Sequence, residues 1–215
     1  LLQKIGDVQT MAELEDIYLP FRPKRRTKAS IAKEKGLEPL AEIVFAQQET
    51  NPSLKAEEFL SDEVNTTEEA LSGACDIIAE WISEDVTARK RLRRLFEKEA
   101  VIYSKVVKGK DTEGIKYRDY FEWSEPLKKC PSHRLLAMRR GEEEGFLKLA
   151  IEPDENNALE ILTSIFIKGR NESSDLVESA LKDSWKRLLS SSMETEFRNI
   201  SKEKADEEAI KVFSD

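Results

Sequence analysis

Two Thr-x-x-Glu sequences, Thr10 to Glu13 and Thr66 to Glu69, each stand directly ahead of an apolar run at helical spacing. A threonine hydroxyl at that place accepts from a backbone N–H one turn in while the glutamate reaches back, so this text marks a helix start. The first box precedes Leu14, Ile17 and Tyr18, and the second precedes Leu71, Ile77, Ile78, Trp81 and Ile82. The stops are equally legible. Pro20-Phe21-Arg22-Pro23 ends the first helix, and an extended basic link leads to a second, Lys28 to Lys35, closed by Gly36. Pro39 opens a third, with Leu40, Ile43 and Val44 on one face. Punctuation of this kind predicts a mainly α chain: a multi-helical scaffold with a helix-turn-helix-like element and at most a short strand or hairpin around 145–151.

Further along, Gln47 to Asn65 reads as an acidic polar loop holding the turn pair Asn51-Pro52 and one helical turn around Glu57 to Leu60. Three segments follow from this: a helical part at 1–46, the acidic loop at 47–65 and a long helical region at 66–215. Arg89 to Lys108 can be read in two ways. At about 100° per residue, Leu92, Leu95, Phe96, Ile102, Tyr103 and Val106 share one arc, opposite Lys90, Arg91, Arg93, Arg94, Lys98, Lys105 and Lys108. That favours one amphipathic helix, with Glu99 and Val101 as misfits. The competing reading is a hairpin, with strands at 101–107 and 115–121 around Gly109 to Gly114. Gly145 to Ile151 is the best strand candidate. Helices return at Leu159 to Ile167, Leu176 to Leu189 and Met193 to the end, the last two split by Ser190-Ser191-Ser192.

Charged residues make up 36% of the 215, and the formal net charge is -8. The total hides a segregation into blocks. Residues 22–35 hold Arg22, Lys24, Arg25, Arg26, Lys28, Lys33 and Lys35 against Glu34; residues 89–98 hold six cations against Glu97; residues 128–140 hold five cations and no acid. Glu49 to Asp85 carries eleven acids against Lys55. Local potential steers a polyanion, so an acidic chain can still present a basic face to nucleic acid. The alternative is a solvated surface whose blocks pair with each other in the fold. Candidate nucleic-acid contacts are therefore Arg22, Lys24, Arg25, Arg26, Lys28, Arg89, Lys90, Arg91, Arg93 and Arg94.

Catalysis finds little support. There is no nucleophile elbow, phosphate loop, dinucleotide fingerprint or His-Glu-x-x-His. Cys75, Cys130 and the single His133 make neither a disulfide framework nor a zinc pattern, which predicts reduced thiols, no metal and no cofactor. Cys130 and His133 stand three apart around Pro131, a poor spacing for a relay. Tyr117, Tyr120, Phe121 and Trp123 are four of the sixteen aromatics; they would serve as stacking platforms only if bare and flanked by cations, and as core anchors otherwise. No run approaches the 18 or so apolar residues a membrane span needs. Around Gly36, Ala32 and the glycine have helix-turn-helix spacing, yet the following helix carries Glu38 and Glu42 and no cation, so it would repel a phosphate backbone.

The run Glu13-Leu14-Glu15-Asp16-Ile17-Tyr18-Leu19-Pro20-Phe21-Arg22-Pro23-Lys24-Arg25-Arg26-Thr27-Lys28, continuing through Ala32 to Gly36-Leu37-Glu38-Pro39-Leu40-Ala41, resembles the N-terminal region of the Tex family of bacterial transcription accessory proteins. Lys116 to Phe121, Pro131 to Arg134 with Arg140-Gly141-Glu142, and Ala205 to Ile210 look like that family in the same order. The resemblance implies a cytoplasmic multi-domain parent with an RNase H-like domain, helix-hairpin-helix repeats and an S1 domain. It implies that this chain is the helical region with its first helices removed, stopping before the RNase H-like domain. The expected role is a non-enzymatic scaffold or interaction region, with nucleic acid, RNA or DNA, met through the parent and the transcription machinery as a further partner. The alternative is a direct nucleic-acid-binding module using the 22–28 and 89–94 blocks.

Overall fold

The computed structural model describes residues 11–22 and 26–214, and the chain divides into two compact units, one of residues 1–91 and 159–189, the other of residues 92–158 and 190–215. The first unit holds α1 (Met11–Tyr18) with a 3-10 turn at Leu19–Phe21, α2 (Lys28–Glu34), α3 (Glu38–Ala46), α4 (Pro52–Ala56) and α5 (Thr67–Glu84). It also takes the start of α6 (Val86–Glu99), the end of α8 (Glu155–Phe166), α9 (Glu172–Ser184) and a π turn at Trp185–Leu189.

Helix α5 is the axis of this unit, because α2, α3, α4 and α9 all pack on it. Its faces carry Ala70, Ala74, Ile77, Ile78 and Ile82, all fully buried. Small residues at one end let neighbours approach closely: a Cβ on Gly73 would run into the Leu37 Cδ1 atom. Thr66 caps α5 by accepting from the Glu69 amide at 3.1 Å, as its box predicts, while the Glu69 carboxylate accepts from the Asn65 amide. Thr10 and the Glu13 side chain of the other box lie outside the described residues. Between α2 and α3, Gly36 sits at φ +76, the left-handed conformation that a residue without Cβ takes at no steric cost.

The acidic stretch 47–65 is more regular than its text predicts. Asn51 and Pro52 are the N-cap and first residue of α4, with Asn51 Oδ1 accepting from the Leu54 amide at 3.1 Å, and a 3-10 turn follows at Glu57–Phe59. An Asn-Pro pair serves a helix start as well as a turn.

The second unit contains a three-stranded antiparallel sheet in the order β2-β1-β3, from β1 (Val101–Val106), β2 (Glu122–Pro126) and β3 (Leu147–Glu152). The single helix over 89–108 is corrected here: α6 stops at Glu99 and the chain turns into β1. In β1, Ile102 and Ser104 are buried while Tyr103 and Lys105 face out, the period of a strand. Both misfits vanish with this division. Glu99 is exposed at the helix end and accepts from Asn157 Nδ2 at 2.9 Å; Val101 stands opposite Glu152 and Pro126. The hairpin reading found the first strand, but 115–120 is a 3-10 helix and the pairing segment starts at Glu122. Gly145 to Ile151 holds most of β3, so the three-stranded sheet exceeds the short strand or hairpin expected there, in a chain that is mainly α.

Helix α7 (Ser132–Glu143) packs on β3 and on α10 (Ser190–Ser214), and α10 also meets β3. Phe96 stacks on Phe197 with ring centroids 5.1 Å apart. The predicted break at Ser190–Ser192 does not occur. Helix α9 runs through the π turn straight into α10, since serine lacks the ring of proline and the freedom of glycine that end helices.

Candidate nucleic-acid interface

Nucleic acid would need the cations of the basic blocks to stand free of internal acids. The structure places them differently from one another. In unit one, Arg89 is 7% exposed and its Nε lies 2.5 Å from Oδ1 of Asp16, itself 2% exposed. The same guanidinium reaches the Ser83 carbonyl at 3.4 Å. In unit two, Arg93 is half-buried and grips Glu196 with two bonds, 2.5 Å from Nε and 3.2 Å from Nη2. These sheltered pairs, the second of them bidentate, hold one element to another.

Around them on α6, Lys90, Arg91 and Arg94 are exposed, with Arg91 Nη1 3.4 Å from the Ser164 hydroxyl. Near the chain start, Arg22 and Lys28 are exposed, and Arg26 meets Glu34 at 3.5 Å with both side chains largely in solvent. Lys24 and Arg25 lie outside the described residues.

The same pairing recurs at other cations, both inside the basic blocks and beyond them. Lys35 meets Glu69 at 2.8 Å, and this bond holds the Glu69 carboxyl below its usual range. Arg134 contacts both oxygens of Glu125 at 3.0 and 2.8 Å and lies over the Trp123 ring, 4.9 Å from its centroid. Burial pushes the Glu125 carboxyl up, but the bonds from Arg134 and Trp123 outweigh it and hold it below its ordinary value. Arg198 spans Glu142, Glu194 and the Leu149 carbonyl, and Arg187 pairs with Asp183 and Asp76. Sequence spacing could not reveal Arg198–Glu142 or Arg187–Asp76, whose partners are more than fifty residues apart, whereas Arg134–Glu125, Arg198–Glu194 and Arg187–Asp183 are local.

The aromatic cluster is not a bare platform. Tyr117 is buried against Phe146, and Tyr120, Phe121 and Trp123 are half-covered. Conversely, Tyr18 and Phe21, unremarked in the sequence beyond their place at a helix end, are 57% and 61% exposed.

Burial first, then Glu125, pushes the Cys130 thiol up to about 12, opposite to what a nucleophile requires. His133 is exposed on the rim of a groove of about 600 Å³ between α7 and α10, floored by Leu136, Ala137 and Ala209. Among the described residues no group of three or more His, Cys, Asp or Glu could hold a metal ion, and no helix is long and apolar enough to cross a membrane.

Comparison with known proteins decides the family. The profile described as Tex central region-like matches residues 47–213. The chain belongs to the Tex family. It is 42% identical over its whole length to the YdcI protein of Bacillus subtilis, covering 31% of that protein. It is 39% identical over its whole length to the transcriptional accessory protein Tex of Neisseria gonorrhoeae, covering 29% of it. It is also 25% identical, over 99% of its length, to the human S1 RNA-binding domain-containing protein 1, covering 23% of that protein. The chain thus spans less than a third of these relatives, and of the residues above those from Gln47 onward lie within the matched central region.

Proposed function

We propose that this chain is a non-catalytic helical scaffold and interaction region of a Tex-like transcription accessory protein, cytoplasmic, whose longer form meets nucleic acid and the transcription machinery. The observation that carries the reading is the use of the cations. Arg89, Arg93, Arg134, Arg187 and Arg198 are engaged by Asp16, Glu196, Glu125, Asp76 and Glu142, so much of the basic text holds helices and strands together and is not presented to a polyanion. The raised thiols of Cys75 and Cys130 support a role without covalent catalysis.

The second reading, direct nucleic-acid binding through the 22–28 and 89–94 blocks, draws on the exposure of Arg22, Arg26, Lys28, Lys90, Arg91 and Arg94. One experiment separates the two for α6. Arg93→Glu and Glu196→Arg should each lower Tm, and the double exchange should recover much of the loss. Replacing Lys90, Arg91 and Arg94 with alanine should leave binding to duplex DNA unchanged at about 50 mM salt, where phosphate contacts are strong. A triple variant that keeps its Tm but loses binding would overturn the scaffold reading.

A further inference from the structure

Where α1 ends, Pro20 opens the 3-10 turn Leu19–Phe21, and the Arg22 amide closes it on the Leu19 carbonyl at 3.3 Å. Residues three apart eclipse one another in that geometry, so Tyr18 and Phe21 project from the same side of the chain. Leu14, Ile17 and Leu19 are half-covered, whereas Tyr18 and Phe21 are the most exposed aromatic side chains among the described residues, ahead of Tyr103 at 37%. Two large rings at a proline-fixed turn thus keep more than half of their residues' surface in water.

The chain that follows them is cationic. Arg22 follows in extended conformation, φ -68 and ψ 133, and is exposed. Arg26 is exposed, and its contact with Glu34, 3.5 Å long between side chains 72% and 62% exposed, is the kind that contributes little and releases readily. No Asp or Glu occurs from Leu19 through Lys33. The one acid on the outer side of α1 within a turn of Tyr18 is Glu15, also exposed.

We propose that Tyr18 and Phe21, flanked by Arg22 and Arg26, form a stacking site for single-stranded nucleic acid. Unpaired bases offer π-faces that bare aromatic rings accept whatever the sequence, while guanidinium groups neutralise the adjoining phosphates. A duplex hides its base faces, so it offers only the phosphates. The site goes beyond the scaffold reading and stands independently of α6: the α6 test reads Arg93, Glu196 and duplex DNA, whereas this one reads two rings and single strands.

The test is fluorescence anisotropy of the whole chain with labelled oligouridine RNA of about 12 nucleotides, within the site sizes known for single-strand grooves. A duplex of equal length serves as comparison, at about 50 and about 200 mM salt. The single strand should bind more tightly than the duplex. Tyr18→Ala and Phe21→Ala should each weaken it about five-fold or more, the scale of one lost base stack. Phe21→Trp should retain affinity, Arg22→Ala should reduce the salt slope by about one, and Glu15→Gln should strengthen binding. Because both rings are exposed, melting by circular dichroism should be unchanged in every variant. Equal or tighter duplex binding would overturn the proposal, as would alanine variants of undiminished affinity or no binding at tens of micromolar. Displacement of the RNA by polyglutamate as readily as by unlabelled oligouridine would overturn it too, since that marks a patch for acidic protein.

Discussion

Gln47 donates from its side-chain Nε2 to the backbone carbonyl of Phe166 at 2.7 Å, joining the end of α3 to the end of α8 across 119 residues of sequence. Its Oε1 accepts from the Lys168 amide at 2.8 Å, and its own carbonyl accepts from Asn171 Nδ2 at 2.9 Å. Gln47 is buried and left-handed at φ 57, so one side chain satisfies backbone groups that the helix end leaves without partners. Gln47→Ala strips a donor and an acceptor from a buried place and should cost about 2–4 kcal/mol in urea unfolding. A loss under about 0.5 kcal/mol, the size of an ordinary surface change, would show that water replaces the amide.

Breaking the Asp16–Arg89 pair should be expensive, because it takes a buried carboxylate away from a buried guanidinium. Asp16→Ala should destabilise unit one by about 3–5 kcal/mol, while replacing both residues with apolar side chains of similar size should cost far less. Denaturant midpoints of the two single variants and the double variant check this, and equal losses in all three would contradict it.

The Glu125–Arg134 contact predicts a dependence on acid. The folded carboxyl lies below its unfolded value, so the folded state binds fewer protons than the unfolded one as pH falls. Its stabilisation is fully present above the unfolded pKa and is lost as pH drops through the folded one. Tm measured downward from about pH 6 should therefore fall, and Glu125→Gln should flatten that part of the curve. A steeper fall in the variant would contradict the sign.

Both thiols should be sluggish. Burial first, then Asp76 and Asp183, pushes Cys75 up to about 11, and Cys130 stands near 12. At pH 8 the thiolate fraction is about a hundred-fold or more below that of a free cysteine, so alkylation by iodoacetamide should be slow when folded and fast in denaturant. Rapid modification of either residue in the native chain would show that the local structure opens.

Gly141 is where α7 lies against β3. A Cβ there would sit 2.6 Å from Leu147 Cδ1 and 3.2 Å from Tyr117 Cδ1. Gly141→Ala should destabilise unit two by about 1–3 kcal/mol through overpacking, despite the better helix propensity of alanine. Stability equal to or above that of the parent chain would mean that Leu147 swings aside without loss.

The helices were largely legible because their signals are local. Thr66 places a hydroxyl by the Glu69 amide, Gly36 takes the left-handed turn, and Thr27 caps α2 through the Ser30 amide at 3.0 Å, all within four residues. The basic blocks were visible too, but not what their members do. Arg89 and Arg94 look alike in the sequence; one is buried on Asp16 and the other is exposed, and nothing within ten residues says which.

Thus the sequence by itself determined the helical class, most helix starts and the family, since capping, proline and glycine act over one turn of backbone. The tertiary structure decided three things. Val101–Val106 became a strand because Leu147–Glu152 and Glu122–Pro126 supply its hydrogen-bond partners, which helical periodicity over six residues cannot anticipate. The serines of 190–192 continue a helix, because packing of Met193 and Phe197 outweighs their weak propensity. Ion pairing over long sequence separations, finally, decided which cations were spent inside the fold and left Arg22 beside two bare rings at its edge.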